Sequence, residues 1–152
     1  MTKQIVFDDL QVARYVAENA GCTYDENVDH SIGLVDPDSA WETRVVGGAT
    51  YTAFTGSSCF VHVAGRDERW MTREFLALSF DYPFVQLGLS VLLAFVEEAN
   101  KPALDFDLHL GFEKKYVVPD MFPSGAGVLL TMTRDSCRWL KHKPRLHKPA
   151  GA

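Results

Sequence analysis

One residue in this sequence that could do chemistry is a histidine inside an apolar strand pattern. His62 is flanked by Val61 and Val63 within residues 59–64, and strand alternation aims its ring away from both. A neutral imidazole accepts a proton near neutral pH, so His62 suits general-base work, with a hydrogen-bonded structural histidine as the competing reading. Glu42, Tyr51 and Tyr116 are weaker candidates. The thiols are Cys22, Cys59 and Cys137, an odd number with no CxxC pair. That pattern fits a reducing cytoplasm and argues against a disulfide framework or a thiolate metal site. No HExxH, serine-triad signature or phosphate-binding GxxxxGK[ST] loop occurs. His142 and His147 make only a weak metal hypothesis, so no metal is expected.

The elements that must position these residues follow from periodicity. Residues 4–7 read as a strand, and Asp8 or Asp9 can cap the helix that follows. Val12, Ala13, Val16, Ala17 and Ala20 recur at helical spacing, and Gly21 suits a left-handed stop. Residues 31–35, 41–54 and 59–64 read as three strands joined by short turns, an antiparallel meander. Gly47-Gly48 inside the second implies a bulge or a close backbone approach. The period then changes. Asp67 can cap a helix over residues 68–80, which Tyr82-Pro83 breaks or bends. Residues 89–96 form an apolar strand, and residues 101–110 a helix with Asn100 as cap, Pro102 in its first turn and Gly111 as stop. Residues 114–118 and 128–133 close the chain as a strand pair. The class is α+β, a mixed sheet of about seven strands with three to four helices.

Composition sets the outer limits. The chain has 152 residues, 47% apolar and 23% charged, the profile of one globular domain with a real core. The longest apolar run is residues 91–96, far short of the roughly 20 residues that span a bilayer. Residues 1–9 reach acid too early for a signal peptide. Net charge is −5, but residues 141–152 carry four Lys/Arg and no acid, which leaves −9 on the rest. An acidic body is a poor fit to nucleic acid, and no membrane partner is expected. The division expected is a domain over 1–140 and a basic, Pro-containing tail over 141–152, able to engage an acidic protein partner.

The segment from Asn100 to Phe112, NKPALDFDLHLGF, resembles the signature of the GNAT superfamily of N-acyltransferases. Asn100, Ala103, Gly111 and Phe112 fall at that family's spacing, and the element order matches its fold over roughly residues 3–134. Residues 131–140 resemble members encoded by tailed bacteriophages, which implies a host cytoplasm or a virion as location and phage structural proteins as possible partners.

The resemblance implies an acyl-CoA N-acyltransferase-like sheet whose central parallel strands, 59–64 and 89–96, splay at their C-terminal ends. Forked strands leave unpaired N–H and C=O groups, and a pantetheine arm with its own amides can fill the gap as a surrogate strand. Val61, Val63 and Ala64 would then supply main-chain hydrogen bonds to coenzyme A, and Asn100 a side-chain contact. His62 stands where the family often has its general base. Asp107 stands where it often has a tyrosine that protonates the leaving thiolate, and a carboxyl serves there only if burial raises its pKa. The family's pyrophosphate loop is glycine-rich, whereas this chain has Arg66-Asp-Glu-Arg-Trp-Met71. Arg66, Arg69 and Arg73 would have to hold the phosphates by side chain instead. Two functions follow: transfer of an acetyl or acyl group from acetyl-coenzyme A to a primary amine, or a degenerate GNAT-like interaction module, virion- or tail-associated.

Overall fold

The computed structural model describes residues 3–67, 70–141 and 148. Strand β1 (Gln4–Phe7) leads into helix α1 (Leu10–Ala20), whose cap is Asp9: its Oδ1 accepts from the N–H groups of Gln11 and Val12 at 3.0 and 3.1 Å. That offsets two of the free donors of a helix start, and Gly21 ends the helix at φ 69°. Strands β2 (His30–Val35), β3 (Val45–Thr52) and β4 (Ser58–Gly65) form the antiparallel meander. Helix α2 (Arg73–Asp81) crosses to β5 (Val91–Glu97), which runs parallel to β4. Helix α3 (Lys101–Leu110), capped by Asn100, leads to the hairpin β6 (Glu113–Phe122) and β7 (Gly125–Thr133). The sheet order is β1-β2-β3-β4-β5-β7-β6, the mixed seven-stranded sheet expected.

Its two faces are covered unequally. On one face α2, α3 and the C-terminal turn Arg138–Lys141 bury Ile32, Tyr51, Cys59, Leu92, Ala94, Val128 and Leu130 in one cluster. On the other, α1 lies over β2, β3 and β4, with Val12 and Val16 against Val35 and Val45. Strand β5 alternates buried and half-buried residues. Its half-buried Leu93 and Phe95 therefore face the α1 side, in a stretch that no helix among the described residues covers fully.

The β6–β7 hairpin is longer than expected, with β6 reaching Phe122 rather than residue 118 and β7 starting at Gly125 rather than residue 128, and three further boundaries differ from the sequence reading. Residues 41–54 are not one strand: Trp41–Thr43 is a 3₁₀ turn, and β3 starts at Val45 with a bulge where Leu34 pairs with Gly47 and Val35 with Val45. The helix expected over 68–80 from an Asp67 cap starts instead at Arg73, capped by Thr72, whose Oγ1 accepts from the Phe75 N–H at 3.1 Å. Trp70 explains the delay. It is buried in the approach to α2, with its indole where a Cβ on Gly47 or Gly65 would collide. Burial of so large a ring outweighs one more turn of helix. Finally, α2 ends at Asp81 and Tyr82-Pro83 opens a single π turn, Tyr82–Gln86, the break or bend expected there, while β5 begins at Val91 rather than residue 89.

Candidate functional site

The parallel pair β4–β5 is registered Ser58↔Val91, Cys59↔Leu92 and Phe60↔Leu93, and no further. Both strands continue, β4 to Gly65 and β5 to Glu97. The sheet therefore opens into a fork, and the β4 main chain from Val61 onward has no β5 partner. Each strand keeps its other neighbour: Val61, Val63 and Ala64 stay paired to Tyr51, Ala49 and Gly48 of β3, and β5 to β7 along its whole length. The fork is thus rigid on both sides, as an extended ligand with amide groups requires.

Register assigns the side chains. Val61 and Val63 pack against the core on the face of α2. His62 points to the face of α1, opposite Thr50, with its Nε2 3.1 Å from the Thr52 hydroxyl. Burial lowers the His62 pKa, and the Asp29 carboxylate only partly opposes this, so the ring is neutral at pH 7. On the same face Phe60 and Phe95 stack across the mouth of the fork, centroids 5.0 Å apart and planes at 18°. The loop after α1 completes the surroundings: Cys22 Sγ is 4.0 Å from Thr50 Oγ1, and Asp29 is buried. Phe60, Phe95, Asp29 and Thr52 were not among the residues singled out from sequence. Phe60 and Phe95 were legible in principle as same-face residues of the two parallel strands, whereas nothing local marks Asp29.

Helix α3 continues from the other prong of the fork. Asn100 caps it through Oδ1, which accepts from the Ala103 N–H at 3.3 Å and leaves the side-chain NH₂ for a ligand. Asp107 lies three residues from both Leu104 and Leu110, the buried positions of α3, and so belongs to the helix's inner stripe. Burial pushes its carboxyl up to about 7. A carboxyl that titrates there delivers a proton at neutral pH, which an ordinary aspartic acid does not. His62 thus lies on the α1 face of β4, and Asp107 on the inner stripe of α3, which packs against the core cluster on the other face of the sheet.

The basic residues divide. Arg66 is turned away, its Nε donating to the Val45 carbonyl and its guanidinium 5.1 Å from the Tyr15 ring centroid. Arg73 is exposed at the first position of α2, beside the helix's free N–H groups. Arg69 lies outside the described residues, as do His142, His147 and all of the tail except Lys141 and Lys148. Tyr51 is committed to the fold: its hydroxyl donates to Ser79 O at 2.7 Å, and burial raises its pKa well above the usual value. Tyr116 and Glu42 are exposed on β6 and the 3₁₀ turn. Burial raises the Cys59 thiol to about 12, in keeping with a core residue. Among the described residues no group of three His, Cys, Asp or Glu converges to hold a metal ion, and no helix is long and apolar enough to cross a membrane.

No family model and no curated protein matches the sequence. Solved structures do match in fold. A form of the spermidine/spermine N-acetyltransferase from Vibrio cholerae superposes with a TM-score of 0.69 over 88% of this chain and 96% of its own, at 11% identity. The same organism's enzyme in complex with CoA and spermine gives 0.65 over 88% and 97%, at 12% identity. A ribosomal-protein-S5-alanine acetyltransferase from Vibrio fischeri gives 0.59 over 74% and 65%, at 17% identity. The chain has the GNAT acyl-CoA N-acyltransferase-like fold.

Proposed function

We propose that the chain is an N-acyltransferase that moves an acetyl or acyl group from coenzyme A to a primary amine. The observation that carries the proposal is the β4–β5 fork, open beyond Phe60 and Leu93 with a neutral imidazole beside it. The fork fits a pantetheine arm, with the main chain of Val61, Val63 and Ala64 on one side and the Asn100 amide at its outer end. Acetyl-coenzyme A would supply an activated thioester and a thiolate leaving group. The β4–α2 loop fits phosphate less fully, because Arg69 and Met71 stand where the family pattern has small residues and Arg66 is engaged elsewhere. Arg73 and the first N–H groups of α2 are the donors that remain there.

The roles of the chain's own residues follow from their faces. The amine approaches on the open face, over Phe60 and Phe95, and Asp25, Glu26 and Asp29 of the neighbouring loop favour a cationic acceptor. His62 takes the proton that the ammonium must lose before its nitrogen can attack. An N–H freed at the fork stabilises negative charge on the carbonyl oxygen. Asp107, protonated near neutral pH, returns a proton to the departing sulfur from the other face.

Titration calorimetry with acetyl-coenzyme A, followed by mass spectrometry of a primary-amine panel incubated with both, tests the proposal. Saturable binding and an amine product 42 mass units heavier, the mass of an added acetyl group, are expected (about 42 follows from replacing one N–H hydrogen by acetyl). No binding at millimolar ligand would overturn it. The Trp70-filled loop would then favour the second reading, a fold retained as a protein-interaction module, including a virion component.

A further inference from the structure

A second built site lies on the covered face of the sheet. The Lys148 side chain is 6% exposed there, unusual for a lysine. Its ammonium has three donors, and three acceptors surround it: Asp8 Oδ2 at 2.7 Å, His30 Nδ1 at 2.8 Å and the Tyr82 hydroxyl at 3.4 Å. The same nitrogen is 5.1 Å from the Tyr82 ring centroid, within reach of the ring's negative face. The Lys148 backbone N–H donates to Gln86 Oε1 at 3.2 Å.

The walls of this pocket are held by groups that do not belong to the C-terminal segment. The Ser31 N–H donates to Asp8 Oδ1 at 3.1 Å, and Asp8 itself adopts φ 53°. The left-handed conformation is rare for a non-glycine residue and is kept where surroundings over-determine it. The His30 ring meets Phe54 and Tyr82 edge-on at 5.8 and 6.1 Å, and Tyr82 meets Tyr51 at 5.2 Å. Gln86 is oriented by donating from Nε2 to Asp81 Oδ2 at 2.8 Å. His30 Nδ1 also lies 3.3 Å from Asp8 Oδ1, but one nitrogen cannot both accept from Lys148 and donate to Asp8. The shorter contact assigns it as acceptor for the ammonium.

We infer that Asp8, His30 and Tyr82 form a primary-ammonium pocket whose resident ligand is Lys148 of the same chain. The pocket is separate from the fork. His30 pairs with Tyr51, whose ring lies on the α2 face, whereas His62 faces α1. Lys148 is therefore docked in cis. When it releases, the pocket takes an alkylammonium group from solution. This does not rest on the acyltransferase reading.

The experiment is reductive methylation of the full chain with formaldehyde and cyanoborohydride, read lysine by lysine by mass spectrometry. Exposed Lys101 serves as internal reference. Lys148 is expected to react at least about tenfold more slowly than Lys101, as burial in an ion pair implies. Asp8→Asn should abolish that difference. Equal rates in the parent chain would overturn the docking. Protection that disappears on hundredfold dilution would overturn docking in cis and assign the lysine to a second copy. A second measurement avoids any folding defect at Asp8. In Lys148→Ala the emptied pocket should bind n-butylammonium, giving a saturable rise in Tm over matched NaCl that the parent shows only at about tenfold higher concentration. An equal response in both chains, or none in Lys148→Ala, would overturn the pocket.

Discussion

The two ends of the proposed coenzyme track are built by different means. At the fork, the site is a property of the backbone. Strands β4 and β5 stop pairing after Phe60 and Leu93, and each is held by its outer neighbour. Any apolar residues that keep the strands in place keep the fork. At the β4–α2 loop, recognition would depend on side chains: Trp70 occupies the space above Gly47 and Gly65, Arg66 is bound to the Val45 carbonyl, and α2 does not begin until Arg73. A site made of main chain tolerates sequence drift that a site made of side chains does not. A fold shared at 11% identity is therefore a better guide to the fork than to the loop.

The largest expected effect attacks the loop through its anchor. Trp70→Ala removes a buried indole that meets Phe75 edge-on at 5.0 Å and covers two glycines. Loss of a large buried aromatic costs about 3–5 kcal/mol, to be read as a fall in the urea midpoint at unchanged slope. A cost below about 1 kcal/mol would mean that the indole does not hold the loop to the sheet.

At the fork, the sharpest test is proton transfer. Asp107→Asn should lower kcat by about 10²-fold or more if the carboxyl is the acid. The signs can be worked out. Asp107 must be protonated, so the parent's rate falls as pH rises through about 7. His62 must be neutral, and burial lowers its pKa, so the acid limb lies below the ordinary histidine value. Asp107→Asn should remove the alkaline limb and leave the acid one, and His62→Gln the reverse. A pH profile unchanged by Asp107→Asn would remove it from the reaction.

Stability gives an independent reading of the same carboxyl. Its folded pKa is raised, so its favourable contribution is complete below the unfolded value of 3.8 and is lost as pH rises through about 7. Asp107→Asn should therefore stabilise the chain at pH 8, by on the order of 2 kcal/mol, and change little at pH 3. A melting series of both chains across that range checks it. No gain at pH 8 would mean that the carboxylate is not desolvated when charged.

These cases also show what the sequence revealed. The motif from Asn100 to Phe112 placed α3, its cap and its Gly111 stop at their observed positions, because capping is local chemistry within a few residues. Strand alternation placed His62 opposite Val61 and Val63, because a pleat has period two. The start of α2 was misread because Asp67 and the periodicity of residues 68–80 are local signals, while the burial of Trp70 is decided by glycines in two other strands. The elevated pKa of Asp107 was legible only as a condition, since burial depends on how α3 meets the sheet. Lys148 was missed for the same reason. A basic tail reads as a segment for an acidic partner, and its acceptors within the chain are separated from it by most of the sequence.

The smallest effect separates the two arginines. Arg73 is exposed at the first position of α2, where the helix's free N–H groups add positive potential. A charge-assisted bond from there to a phosphate is worth about 1.5–3 kcal/mol, so Arg73→Ala should weaken coenzyme A binding about 10- to 150-fold. Arg66 lies over Tyr15 and donates to a β3 carbonyl. Arg66→Ala should cost stability through lost packing yet change coenzyme A affinity less than about threefold, well under 1 kcal/mol. Calorimetric titration of both variants compares them directly. Equal losses would mean that Arg66 swings out to the phosphates when ligand binds, so the loop would be remade by the ligand rather than closed to it. No loss in either would move the phosphates off this loop altogether and leave the fork as the whole of the recognition surface.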